Sequence, residues 1–404
     1  MFSAFPNIEH VNISHNPIIR FETNVFKSSR DIRLLDAQNC PIVYFPPRIF
    51  AELHKLHTVF ADNYKLCCSA NLPDNFNVNN CHAPEDEISS CNALLRADVF
   101  RIFLSLYALC SLMGNALSVI FRLFLAKGKQ SSFKIFIINL CLSDFIMGIY
   151  LSVIGLADRV YMDNYLWEEI NWRHSLPCQL AGFLSLLSSE TSAIIICLVT
   201  LDRFLVIRFP FSNVRFGPTS ATVACIITWC TGCILAVVPL LHRNWAFYSQ
   251  TGICIPLPTT QIEFAGRDYI FGVVIVFNFA LFLIIASGQT AIYLSILANQ
   301  MTAGSSTKKS QDVKVARHLI TVAVSDFLCW FPIGLLGLLA SEGVAIPGVI
   351  NVILAIIVLP LNAALNPFLY NLNVILDKRN KAKEKRLKNE IMEELEHDLC
   401  QKNV

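Results

Sequence analysis

Charge is scarce in this chain. Asp, Glu, Lys and Arg make up 15% of its 404 residues against 54% hydrophobic ones, a balance that excludes an ordinary soluble globular protein. Catalytic signatures are missing as well. Neither His-Glu-x-x-His nor Gly-x-Ser-x-Gly occurs, and the histidines flanking the apolar runs (His174, His242, His318) have no nucleophile or metal partner at suitable spacing, so no enzymatic activity is expected. Met1 is followed by Phe2-Ser3-Ala4-Phe5-Pro6, without the basic and apolar regions of a secretory leader. The apolar runs show no internal repeat of the kind transporters carry. A net charge of +2 excludes little by itself, because charges of opposite sign are segregated along the chain.

What is present in quantity is apolar length. Runs of about 20 or more largely apolar residues, enough to cross ~30 Å of hydrocarbon, fall near 99–125, 134–157, 177–201, 220–241, 269–297, 315–340 and 346–370. Seven spans put the termini on opposite sides. One set of connections (Arg122 to Lys134, Arg203 to Arg215, Lys308 to Arg317) holds eleven Lys or Arg and the opposite set (Arg159, Arg173, Arg243, Arg267) holds four, which makes the first set cytoplasmic. The expected architecture is an all-α membrane protein, a seven-transmembrane helix bundle. Its N-terminal 97 residues lie outside the plasma membrane, and a basic tail over 373–404 touches anionic lipid. Nucleic-acid binding is not expected.

The first 66 residues repeat. A shift of 24 aligns Ile8/Ile32/Leu56, Val11/Leu35/Val59, Ile13/Ala37/Ala61 and Ile18/Ile42/Leu66, with Asn16/Cys40/Tyr64 as a turn column. This is a leucine-rich-repeat pattern, a short α/β solenoid, with Asn12, Asp36 and Phe60 expected to face solvent on its concave surface. Three periods beginning at Met1 are expected to be the remnant of a longer solenoid, since terminal repeats need a cap. Cys67, Cys68, Cys81 and Cys91 suggest a disulfide-stapled cap and hinge over 67–97, with three full pairings open. Asn12-Ile13-Ser14 is a glycosylation sequon. The bundle itself is expected to occupy 98–372.

Within the spans, Asn115, Asn139, Asp144, Ser192, Asp326, Asn362 and Asn366 need explanation. Amides glue helices together for about 1 kcal/mol each, but a carboxylate such as Asp144 or Asp326 must gain a cation or take up a proton. Pro239, Pro332 and Pro367 each free a backbone carbonyl that a neighbour must re-satisfy. Cys178 and Cys254 both lie on the oxidising side, and a bridge tying the loop between the fourth and fifth spans is expected. Arg203 is a permanent charge directly after an apolar run and so reads as functional.

These residues resemble those of rhodopsin-like G-protein-coupled receptors: Asn115; Asn139-Leu140-Cys141-Leu142-Ser143-Asp144; Cys178; Asp202-Arg203-Phe204; Trp229; Cys329-Trp330-Phe331-Pro332; and Asn366-Pro367-Phe368-Leu369-Tyr370. Ser325-Asp326-Phe327-Leu328-Cys329-Trp330, Leu359-Pro360-Leu361-Asn362 and the repeats make the chain similar to the leucine-rich-repeat subgroup, specifically the relaxin-receptor type. The resemblance implies that Asp202 and Asp312 hold Arg203 at rest, and that an outward swing of the sixth helix frees it for a heterotrimeric G protein. It implies an allosteric sodium site at Asp144, Ser192, Asn362 and Asn366 and no other cofactor. It also places Trp330 beneath the outer cavity and implies that Tyr370 moves toward the core on activation. Two departures stand out: the fifth span lacks a proline, and Gln289 replaces a tyrosine near its inner end. The expected function is transduction of an extracellular peptide or protein signal into G-protein activation. The alternative is a non-signalling adhesion or decoy protein that uses the repeats as a binding module.

Overall fold

A computed structural model describes residues 7–84, 86, 88–125, 131–209, 214–255, 265–302, 325, 327–344 and 346–369. They fall into two compact units. One comprises the chain up to Asp98 together with Ala157–Trp172; the other comprises Val99–Leu156 and the chain from Arg173 onward.

In the first unit four short strands, β1 (His10–Asn12), β2 (Leu34–Ala37), β3 (Thr58–Ala61) and β4 (Cys81–His82), form a parallel sheet in sequence order. His10 pairs with Leu34 and Leu34 with Thr58, so the shift of 24 residues is the hydrogen-bonded register itself. Strand alternation sends Val11, Leu35 and Val59 into a core shared with Ile32, Phe26 and Phe50. Burying each such side chain is worth about 1.5–3 kcal/mol. Asn12, Asp36, Phe60 and His82 form the row beside it, and the Phe60 and His82 rings stack at 4.9 Å.

In the turn column Asn16 donates to the Ile13 carbonyl of its own repeat (2.9 Å), and the Cys40 thiol donates to the same carbonyl from the next repeat (3.0 Å). At the third repeat the chain enters a short helical turn, Tyr64–Cys67, and Asn63 at its start accepts from the Lys65 N–H (3.1 Å) while donating to the Ile42 carbonyl of the preceding repeat (2.9 Å).

Cys67 bonds Cys81 and Cys68 bonds Cys91, one of the three pairings. The first ties β4 to the helical turn that follows β3. A loop helix, α3 (Tyr165–His174), belongs largely to this unit rather than to the bundle. Glu169 on α3 forms a buried ion pair with Lys65 and accepts from the Tyr64 hydroxyl (3.4 Å). Asp158 accepts from the Leu95 N–H (2.8 Å), and the Asp163 N–H donates to the Asn92 carbonyl (2.6 Å).

Among its described residues the second unit carries six helices long and apolar enough to cross a membrane, α1 (Asp98–Phe124), α2 (Ser132–Val160), α4 (Leu176–Arg208), α5 (Pro218–Leu241), α6 (Arg267–Ser295) and α8 (Gly348–Leu369). A shorter apolar helix, α7 (Phe327–Ser341), is described between the last two. Helices are the open-ended structures that satisfy every backbone group in lipid, and prolines test that rule. Pro239 frees the Leu235 carbonyl, which accepts from the Tyr269 hydroxyl of α6 at 2.7 Å. Pro367 frees the Ala363 carbonyl, which accepts from Asn115 Nδ2 of α1 at 3.1 Å. At that contact a Cβ on Gly114 would lie 2.7 Å from the Pro367 ring, so only glycine admits the approach.

Candidate functional site

The polar residues of the bundle form a column. At its middle, α2 presents the buried Asp144 to two helices at once: Ser192 Oγ of α4 donates to Oδ1 (3.1 Å) and Asn366 Nδ2 of α8 to Oδ2 (2.8 Å). The Asn366 Oδ1 is buried and accepts no hydrogen bond among the described residues. Asn362 lies buried one turn earlier on α8. Carboxylate, hydroxyl and amide oxygens are hard donors of the kind that suit an alkali or alkaline-earth cation, so this set fits a sodium ion. Around it Asn139 accepts from Trp229 Nε1 (3.0 Å), and Ser188 Oγ donates to the Ser143 carbonyl (2.7 Å). These bonds tie α2 to α5 and α4.

At one end of the column Arg203 donates through Nε to Asp202 Oδ2 (2.9 Å) and pairs with the same oxygen through Nη2. Asp202 is buried and its other oxygen accepts from Ser132 Oγ (2.8 Å). The guanidinium lies 4.7 Å from the centroid of the Phe133 ring, a cation–π contact. Two consecutive residues at the start of α2, neither singled out in the sequence, thus hold the Asp202-Arg203 pair from the side. Gln289 donates to Thr200 Oγ1 (3.1 Å), so it reaches α4 one turn before Arg203. The proposed partners Asp312, Asp326 and Tyr370 and the tail 373–404 lie outside the described residues.

At the opposite end Cys178 and Cys254 are bonded. The bridged loop lies against α4 where a Cβ on Gly182 would sit 2.3 Å from the Cys254 carbonyl oxygen. Tyr248 in this loop donates to the Ala236 carbonyl (2.8 Å). Burial, then the nearby Tyr269 and Glu190, push its phenol above the usual range, so its proton is retained. Below the loop is a cavity lined by residues among which are Trp330 and Glu190. Glu190 was missed in the sequence, although a carboxylate inside the apolar run of α4 is the same signal that marked Asp144. Its Oε1 accepts from Asn278 Nδ2 (2.9 Å).

In the repeat unit Asn12 is exposed, and its amide oxygen accepts from the Ser14 hydroxyl (2.7 Å).

Residues 114–370 match the family described as 7 transmembrane receptor (rhodopsin family). The chain is 34% identical over 329 residues to the G-protein coupled receptor GRL101 of Lymnaea stagnalis, covering 81% of this chain and 29% of that protein. It is 34% identical over 329 residues to relaxin receptor 2 of Canis lupus familiaris (80% and 44%). To relaxin receptor 1 of Homo sapiens it is 32% identical over 299 residues (73% and 39%). It spans less than half the length of these relatives. With a matched region covering Asn115, Asp144, Arg203, Trp330 and Pro367, the chain belongs to the rhodopsin family of seven-transmembrane receptors, in its leucine-rich-repeat, relaxin-receptor-like subgroup.

Proposed function

We propose that this chain is a plasma-membrane receptor that turns binding of an extracellular peptide or protein into activation of a heterotrimeric G protein. The observation that carries this is the Arg203 site: a guanidinium held by Asp202 and Phe133 at the end of the bundle where the basic connections cluster. The repeats over 1–66 would capture the ligand outside, the cysteine cap over 67–97 would pass the load on, the bundle over 98–372 would switch, and the tail over 373–404 would contact anionic lipid. A ligand drives such a switch only by favouring one of its two states.

In the resting state Asp202, with Asp312 as second counter-charge, holds Arg203. Ser132 holds Asp202 in turn. Asp144, Ser192, Asn362 and Asn366 would hold sodium. Bound there, the ion supplies the positive charge that the Asp144 carboxylate lacks and so favours the resting packing of α2 against α4 and α8. Asp326, Trp330, Pro367 and Tyr370 are assigned to the rearrangement that frees Arg203. Relatives named as relaxin receptors support a hormone as the extracellular ligand.

The test is nucleotide exchange on each class of heterotrimeric G protein by the purified chain in lipid, with and without candidate peptide hormones. Exchange that Arg203→Ala abolishes at unchanged surface level, and that Asp312→Ala raises without ligand, is the expected result. Absence of exchange with every class would sink the reading.

A further inference from the structure

Asn12-Ile13-Ser14 is the one Asn-x-Ser/Thr sequence in the 404 residues. Its asparagine closes β1 and is exposed, in line with Asp36, Phe60 and His82 across the parallel sheet. The amide oxygen is occupied twice, by the Ser14 N–H (2.9 Å) and by the Ser14 hydroxyl (2.7 Å). The amide nitrogen, Nδ2, donates to nothing among the described residues. The side chain is therefore fixed through one atom and offers the other to water. A sugar on Nδ2 breaks no bond of the fold and leaves no polar group without its partner.

We propose that Asn12 carries an N-linked glycan, and that this glycan, standing on the open row of the sheet, closes the β1–β2 part of the row to a protein-sized partner. In the transfer the bond from Nδ2 to sugar C1 forms while C1 parts from a lipid-linked diphosphate sugar donor. Nδ2 gives up one proton, and the diphosphate leaves with the lipid. Strands lie about 4.8 Å apart, so the stem of the glycan rises about one spacing from Asp36 and about three from His82. A protein interface of ordinary size covers about 800 Å² per partner, far more than a row about 14 Å across. A partner laid flat on the row meets the glycan, whereas one seated on Phe60, His82 and the cap beyond them does not. The second half of the inference rests on the receptor reading: the peptide or protein captured there is left the cap end of the row, where the Phe60 and His82 rings stack and Cys81 is bonded to Cys67.

The full chain, expressed in animal cells and purified folded, is treated with a peptide-N-glycosidase, which frees the sugar and turns Asn12 into an aspartate. A single downward shift in mass, with the changed residue mapped to position 12, is expected. Ser14→Ala should remove the shift, and Ser14→Thr, which keeps the sequon, should retain it. Hydroxyl-radical footprinting before and after treatment reads the closure. Reactivity should rise at His10, on the same face of β1, and at Leu34, which pairs with it, and stay level at Phe60 and His82. Sidedness is read on intact cells by labelling Lys27, which is exposed, with an amine reagent that cannot cross the membrane. A chain labelled from outside that carries no glycan overturns the modification. Equal change at both ends of the row, or no change at either, overturns the closure. A unit that takes no label from outside overturns the receptor reading and the glycan together, so the label tells the two failures apart.

Discussion

In the repeat unit a residue's partner is found 24 positions along the chain, whereas in the bundle the partners of Asp144 are 48 and 222 positions away and that of Asn115 is 248 away. The outsides differ too. The repeats face water and carry exposed inter-turn ion pairs such as Arg30–Glu52 and Lys55–Asp31. The bundle exposes Ile226, Ile227 and Ile234, each more than half accessible. Apolar burial therefore organises the first unit and cannot organise the second, because lipid is as apolar as the helix interior. In the bundle, specificity falls to the few polar side chains and to the bonds that repair proline breaks.

The contrast can be broken in four places. The largest effect should come from Lys65→Ala or Glu169→Ala, because removing one partner of a buried ion pair leaves the other uncompensated, at about 3–5 kcal/mol. Replacing both by Met and Leu should recover most of that loss. Hydrogen exchange of α3 in the intact chain would register it, and unchanged protection in the single variants would show that the pair does not hold the loop helix. Next, Leu35→Ala should cost about 2–5 kcal/mol in the repeat core, while Ile226→Ala on the lipid face should cost close to nothing. Comparable losses in chemical unfolding would erase the distinction between the two outsides. Third, Tyr269→Phe leaves the carbonyl freed by Pro239 without its donor, for about 1–2 kcal/mol. A matching fall in thermal stability is expected, and none if water takes over. The smallest effect should be Arg30→Ala, within about 0.5 kcal/mol because its partner is exposed. A larger drop, or one insensitive to salt, would mean that the exposed ladder bears more of the solenoid than its accessibility suggests.

Much of the repeat was legible because a solenoid returns each turn to its neighbour, so Ile32, Leu35 and Val59 announce their contacts by period alone. The period runs on through Tyr64, where the chain enters the helical turn Tyr64–Cys67 that leads into the cap. In the bundle Asp144, Ser192 and Asn366 could be named as polar residues in lipid, and they meet. Glu190 carried the same signal and was passed over. Ser132 and Phe133 carried none, since a serine and an aromatic at a helix start are ordinary until Asp202 and Arg203 arrive from 70 positions away.

The sequence by itself determined the number of apolar runs, the register of the repeats and the identity of the charged residues that lipid makes expensive. All of these depend on local spacing and on composition within one segment. Only the tertiary structure decided which cysteines pair, that α3 joins the repeat unit through Lys65 and Glu169, that Asn115 and Tyr269 repair the carbonyls freed by Pro367 and Pro239, and that Glu190 stands in a cavity wall. The physical reason is common to them. Each is a bond between segments far apart in the chain, and the free energy of a buried polar group depends on what meets it there.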